Sequence, residues 1–297
     1  MRHDIEFSTE DGVTLRAWHY PATGVEGPAP LVVMAHGFSA TREIHLAGFA
    51  EVFQAAGLGV LVYDHRNLGA SDGAPRGHID PWAQVTGYRD AITFAQTMPS
   101  VDPARIGVWG SSYSGGHVLV VGAIDRRVRC IVAQVPLTYG LETARRLVRG
   151  DHWAGLRAAF DADRAARARG EPGMRMPVTA PEGQPCALPT ADTYAFFTRL
   201  AAEHPEAWTN EVTLQSIELF TEYEPATYIA RIAPTPLLVV VAAGDHLTPF
   251  DLTAHAFEEA LEPKELLVLP GGHFEAYTGK PFEISSAAQC AWFKRHL

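Results

Sequence analysis

The sequence predicts an α/β fold, a mostly parallel central sheet flanked by helices, with a helical segment inserted late in the chain. Three observations carry this reading. Short apolar runs recur at Leu31–Ala35, Leu58–Tyr63 and Leu237–Ala242, and such runs suit strands buried on both faces of a parallel sheet. Segments with helical spacing lie between them, so strand and helix alternate. From residue 137 to 232 the alternation stops and no buried-strand run appears.

Taken in order, residues 3–20 read as a β-hairpin, with Asp11-Gly12 as the turn between Ile5–Ser8 and Val13–Trp18. Pro28 and Pro30 punctuate a loop before the buried strand 31–35. Residues 45–57 carry helix spacing, with Phe49, Val52, Phe53 and Ala56 on one side. A strand at 58–63 and a helix at 81–98 follow. Strand 106–109 feeds a helix at 113–124, and 130–135 is a further strand. The alternation resumes with strand 237–242, helix 249–261, strand 265–269 and a closing helix at 282–297. Parallel strands joined this way imply right-handed crossovers. We therefore divide the chain into a core, 1–136 with 233–297, and a mainly helical cap, 137–232. Within the cap, Leu141–Arg169 is rich in Ala and Arg, a Pro/Gly stretch runs from Glu171 to Pro189, and 191–204 and 212–221 are helix-like.

Composition narrows the function classes. With 47% hydrophobic and 20% charged residues, the chain is an ordinary globular protein. A net charge of -10 argues against nucleic acid or an anionic membrane as partner. The longest apolar run, Leu237–Ala243, is too short to span a bilayer, and Met1–Glu6 lacks the apolar core of a signal peptide. A cytoplasmic location is the expectation. Cys130, Cys186 and Cys290 form neither a disulfide framework nor a metal motif. No phosphate P-loop or dinucleotide fingerprint is present, so neither metal nor cofactor is expected. Arg145, Arg146, Arg149, Arg157, Arg164, Arg167 and Arg169 alternate with acids and alanines as a solvated helix face does, the other reading being that one or two steer an anionic substrate. An exposed edge strand or the cap surface leaves a homodimer open.

The chemistry centres on Gly110-Ser111-Ser112-Tyr113-Ser114-Gly115-Gly116, directly after the apolar run Ile106–Trp109. A serine at a sharp strand-to-helix turn is exposed and strained, and nearly fits G-x-S-x-G, with Ser114 in place of the second glycine. Ser112 is the candidate nucleophile because Gly110 stands two before it; Ser111 and Ser114 are its rivals. Taken alone, the turn reads equally as a helix N-cap or a phosphate loop. A serine hydroxyl needs a base, and the base an orienting carboxylate. Asp245 ends the apolar run 237–244, with Asp251 as the alternative acid. His273 sits in a glycine loop after Val268-Leu269. The order Ser, Asp, His at three strand ends makes each member support the others. His36-Gly37-Phe38 follows strand 31–35, and the backbone amides of Phe38 and Tyr113 would serve a tetrahedral intermediate. The His36 side chain reads as a brace for its loop.

Together these features resemble the α/β-hydrolase superfamily over almost the whole chain outside the cap. The resemblance assigns His36-Gly37-Phe38 to an oxyanion loop, Ser112 to a nucleophile elbow, and Asp245 and His273 to acid and base. Tyr63–Gly73 resembles the family's D-x-R-G-x-G-x-S loop, with Asn67 in place of its first glycine. Tyrosine after the nucleophile is similar to the dienelactone-hydrolase-like and X-Pro-peptidase-like branches.

The resemblance implies a serine hydrolase acting on a carboxylic ester, lactone or thioester of a small to medium apolar molecule. The alternative it implies is a triad-dependent enzyme that transfers acyl groups or cleaves C–C bonds in polyketide or aromatic metabolism. Trp153, Phe160, Tyr194, Phe196, Phe197, Trp208, Phe220 and Tyr223 give the cap much aromatic area. Of these, Phe197, Trp153 and Tyr194 are expected to line a substrate pocket.

Overall fold

The computed structural model describes residues 2–297 and sets the apolar runs side by side in one eight-stranded sheet. The first half comprises β1 (His3–Ser8), β2 (Thr14–Tyr20), β3 (Ala29–Ala35), α1 (Leu46–Ala55), β4 (Gly59–Tyr63), α2 (Pro81–Thr97), β5 (Val101–Ser111), α3 (Tyr113–Ile124) and β6 (Val128–Gln134). An insert follows with α4 (Gly140–Leu147), α5 (Trp153–Ala168), β7 (Arg175–Met176), α6 (Ala191–Glu203), β8 (Val212–Thr213) and α7 (Leu214–Glu222). The chain then closes with β9 (Leu237–Ala242), α8 (Phe250–Glu259), β10 (Lys264–Leu269) and α9 (Gly279–His296).

Strand order is β1-β2-β4-β3-β5-β6-β9-β10. In this eight-stranded sheet only the first hairpin and its junction with β4 are antiparallel; its other pairs are parallel. Strands β3, β4 and β9 are almost wholly buried, as continuous apolar runs require when helices cover both faces. Helix α2 starts where Asp80 accepts the amides of Trp82 and Ala83, with Pro81 in the first turn.

Register places the site. Ala35 pairs with Gly110, and Ser111 with Gln134, so the loop after β3 emerges beside the turn after β5. Ala242 pairs with Leu269, so the loops after β9 and β10 leave the sheet at the same level. All four loops open on the carboxyl edge of the sheet, where functional groups gather in open α/β folds.

The differences from expectation are local. β5 begins at Val101 rather than 106, with register irregularities where it meets β3 and β6. α9 begins at Gly279 rather than 282. The Ala/Arg tract is split at Val148–His152, where Gly150 and Asp151 are poor helix formers. The insert also holds one buried strand, since β8 pairs with β7 over two residues, too few to leave a periodic signal.

Two apolar cores lie on the two sides of the sheet. One joins Phe49, Phe53, Trp109 and Phe293; the other joins Leu31, Tyr63, Tyr88 and Ile131 to the insert residues Phe160, Phe196, Phe197 and Phe220. Among the described residues no helix is long and apolar enough to cross a membrane.

Candidate active site

Ser112 occupies the turn between β5 and α3 at φ 59° and ψ −117°, a backbone conformation that a serine holds only under constraint. The constraint is visible. Its amide donates to Gln134 O at 2.9 Å, and its carbonyl accepts from Leu137 N at 2.9 Å. Gly110 makes the turn possible, because a Cβ there would lie 2.0 Å from the Ser114 carbonyl oxygen. The Ser112 side chain makes no cap bond to α3; its Oγ lies 3.1 Å from His273 Nε2.

His273 Nδ1 in turn lies 2.7 Å from Asp245 Oδ2. The other carboxylate oxygen accepts the amides of Leu247 and Thr248, both at 2.8 Å. Thr248 Oγ1 stands 2.9 Å from Asp245 Oδ2 and 3.0 Å from the Val135 carbonyl. Burial would raise the Asp245 pKa, but the facing imidazole and these donors outweigh it and hold the acid below its ordinary value. Asp245 is therefore an anion that fixes the proton of His273 on Nδ1 and leaves Nε2 to accept from Ser112. Thr248 was not anticipated; its only sequence mark is its place three residues after Asp245.

The rivals are engaged elsewhere. Ser111 Oγ bonds the Tyr277 hydroxyl, within a buried network that runs through Gln134, Ser285 and Gln289 to the Trp109 indole. Ser114 Oγ bonds the His36 carbonyl and His65 Nε2. Asp251 forms a two-pronged pair with Arg146 at 2.6 and 2.8 Å.

The loop after β3 passes directly over Ser112. A Cβ on Gly37 would lie 2.8 Å from Ser112 Cβ and 3.2 Å from its Oγ. Tyr113 opens α3, so its N–H has no partner within the helix. Phe38 and Tyr113 both border the cavity beside Ser112. His36 accepts the His65 amide on Nε2 at 3.1 Å and places Nδ1 3.0 Å from the Gly37 carbonyl, fully buried. Asn67 takes φ 67°, a left-handed position that asparagine tolerates better than most residues, and its side chain donates to His78 O.

The cavity beside Ser112 measures about 40 Å³. Its walls are apolar, with Leu188, Phe196, Phe197, Phe220 and Phe274 prominent. Of the three residues expected to line a substrate pocket, Phe197 borders this cavity, whereas Trp153 and Tyr194 do not. Helix geometry explains the miss at Tyr194: α6 buries Thr193, Phe196, Phe197 and Leu200, an i, i+3, i+4, i+7 stripe, and Tyr194 falls outside it at 38% exposure. Phe196 holds the inward place and stacks on Phe274, 4.2 Å between ring centroids. Trp153 starts α5, whose buried side chains are Phe160 and Asp163. Among the described residues no group of three histidine, cysteine or carboxylate side chains is placed to hold a metal ion.

Known proteins resemble this chain in sequence and in fold. A thiohydrolase of Eupenicillium brefeldianum is 33% identical over 99% of this chain and 94% of its own. The polyketide transferase ATR5 of Stachybotrys chlorohalonatus is 34% identical over 100% of this chain and 98% of its own. The crystal structure of the alpha/beta hydrolase GrgF from Penicillium sp. sh18 superimposes with a TM-score of 0.86, at 30% identity, over 100% of this chain and 99% of that one. The alpha/beta hydrolase family pattern matches residues 32–284, from the first parallel strand into the last helix. With the family pattern, the sequence relatives and the superposition in agreement, the chain belongs to the alpha/beta hydrolase family.

Proposed function

We propose that this protein is a serine hydrolase that forms an acyl-enzyme on Ser112 from a carboxylic ester, lactone or thioester of a small to medium apolar molecule. The observation that carries the reading is the row from Ser112 Oγ to His273 Nε2 (3.1 Å) and from His273 Nδ1 to Asp245 (2.7 Å), set at the wall of an apolar cavity. His273 takes the Ser112 proton as Oγ attacks the carbonyl carbon. The carbonyl oxygen becomes an oxyanion that the Phe38 and Tyr113 amides receive. His273 then passes the proton to the leaving alcohol or thiol as the C–O or C–S bond breaks. In the second half water replaces the leaving group, His273 removes its proton, and the acid departs as Ser112 is reprotonated. Asp245 keeps its negative charge throughout and stabilises the imidazolium. Residues 137–232 act as the cap, and Phe196 and Phe197 on α6 face the acyl group.

The thiohydrolase among the relatives supports a thioester within this class. A second reading is acyl transfer to an acceptor other than water, or C–C bond cleavage, by the same three residues. A polyketide transferase among the relatives supports it. Intact mass after treatment with a fluorophosphonate tests the common step. One adduct on the native protein and none on Ser112→Ala is expected; no adduct on the folded native protein would refute an activated Ser112. Product analysis in ¹⁸O-water then separates hydrolysis from transfer.

A further inference from the structure

The loop from His36 to Arg42 carries Phe38, and the core holds it at both ends. Ser114 Oγ donates to the His36 carbonyl, the His65 amide donates to His36 Nε2 at 3.1 Å, and Asp64 accepts the Arg42 amide at 2.7 Å. Between these anchors Ser39 sits at φ 54°, a left-handed position that a serine keeps only when its surroundings impose it. Ser39 lies within a tight turn closed by the Ala40 amide, which donates to the Gly37 carbonyl at 3.2 Å, and the insert adds a second hold. Trp208 Nε1 donates to the Ser39 carbonyl at 2.8 Å, across 169 residues of sequence. The same indole stacks on Phe197, 4.9 Å between centroids and 27° between planes, and Phe197 walls the cavity beside Ser112.

One side chain thus touches both the wall that an apolar acyl group would press and the residue that follows Phe38. We infer that Trp208 is a positioning residue: through Ser39 it directs the Phe38 amide, and through Phe197 it links that direction to the filling of the apolar cavity. The inference rests on the roles of Ser112 and Phe38 proposed above. An amide that receives charge only in the transition state affects turnover, not substrate binding. Loss of the Trp208 bond therefore lowers kcat and leaves KM in place.

Replacing Trp208 with β-(3-benzothienyl)alanine tests this, since sulfur removes the N–H donor and keeps the ring for stacking on Phe197. With the hexanoyl thioester of N-acetylcysteamine, kcat should fall about tenfold with KM held within about twofold, less than the loss on deleting an oxyanion donor outright. Affinity for hexyl trifluoromethyl ketone, which forms a tetrahedral adduct, should fall by the same factor, while affinity for hexyl methyl ketone stays. Trp208→Phe should follow the same pattern. Unchanged kcat and unchanged trifluoromethyl ketone affinity in a variant whose only loss is thermal stability would overturn the inference and leave Trp208 a structural residue. Failure of the native protein to form the adduct on Ser112, seen by ¹⁹F resonance and by Ser112→Ala, would overturn the nucleophile assignment and this inference with it.

Discussion

Gly37 and Ser112 stand so close that a single added methyl group cannot fit between them: a Cβ on Gly37 would lie 2.8 Å from Ser112 Cβ. Either the serine or the loop carrying Phe38 has to move. A displacement of about 1 Å at a reacting centre costs on the order of a hundredfold in rate. Gly37→Ala should therefore lower kcat about a hundredfold while circular dichroism and the unfolding midpoint stay near native. Retained turnover would show that the loop can retreat without misplacing the Phe38 amide.

Removing members of the hydrogen-bonded row separates them from their sequence rivals. Ser112→Ala should lower turnover by about 10⁴ to 10⁶, and Asp245→Asn by about 10⁴ through the wrong imidazole tautomer. Asp251→Asn breaks only an exposed pair with Arg146 and should leave kcat within about twofold, as exposed ion pairs contribute at most about 1 kcal/mol. Steady-state kinetics on one activated ester suffice. Activity in Ser112→Ala equal to native would end the acyl-enzyme reading.

The sheet and the row were legible in the sequence for the same reason. Ser112, Asp245 and His273 each follow an apolar run, and apolar runs become strands whose carboxyl ends must lie together in a parallel sheet. Contacts made by the insert carry no such mark. Trp208 and Ser39 meet across 169 residues, and nothing in either local pattern announces the other. Thr248 serves Asp245 through loop geometry alone. Aromatic content alone does not tell Tyr194 from Phe196; the helical period does, in the stripe of Thr193, Phe196, Phe197 and Leu200.

That stripe makes a prediction about selectivity. Phe197→Ala should open the cavity beside Ser112 and raise the preference for a long acyl chain over a short one. The rough limit is tenfold to a few hundredfold, since burying one methylene contributes about 1 kcal/mol and seldom more than 3 in a pocket. Tyr194→Ala, off the stripe, should leave the profile unchanged. A chain-length series of thioesters measures both, and matching profiles for the two variants would refute an acyl group lodged against α6.

Behind the site lie three imidazoles that folding keeps uncharged. Burial holds His36 down to about 4 and His117 down to about 3, and holds His65 well below its ordinary 6.5. His65 meets Ser114, while His117 meets Gln84 and Tyr223, so no carboxylate faces either ring. The Asp64 carboxylate, which lies 3.7 Å from His36, is itself pushed up to about 7 by burial. The signs then follow. Between about pH 4 and 6.5 the unfolded chain protonates three imidazoles that the folded chain leaves neutral, so unfolding takes up protons. Asp64 opposes them, being protonated when folded and ionised when unfolded over nearly the same window. Among these four groups, three protons less one leaves about two, each worth about 1.4 kcal/mol per pH unit; His19, His45, His78 and His296, also lowered by burial, add to them, while Asp90 and Glu224, raised by burial, oppose them. Stability should thus be full above about pH 6.5 and fall by about 3 kcal/mol between about pH 6 and pH 5 in urea unfolding. His117→Gln removes one of the three and should lower that slope by about 1.4 kcal/mol per pH unit. A flat profile across the window in the native protein would mean that these rings gain protons without unfolding, and that water reaches them in the folded state.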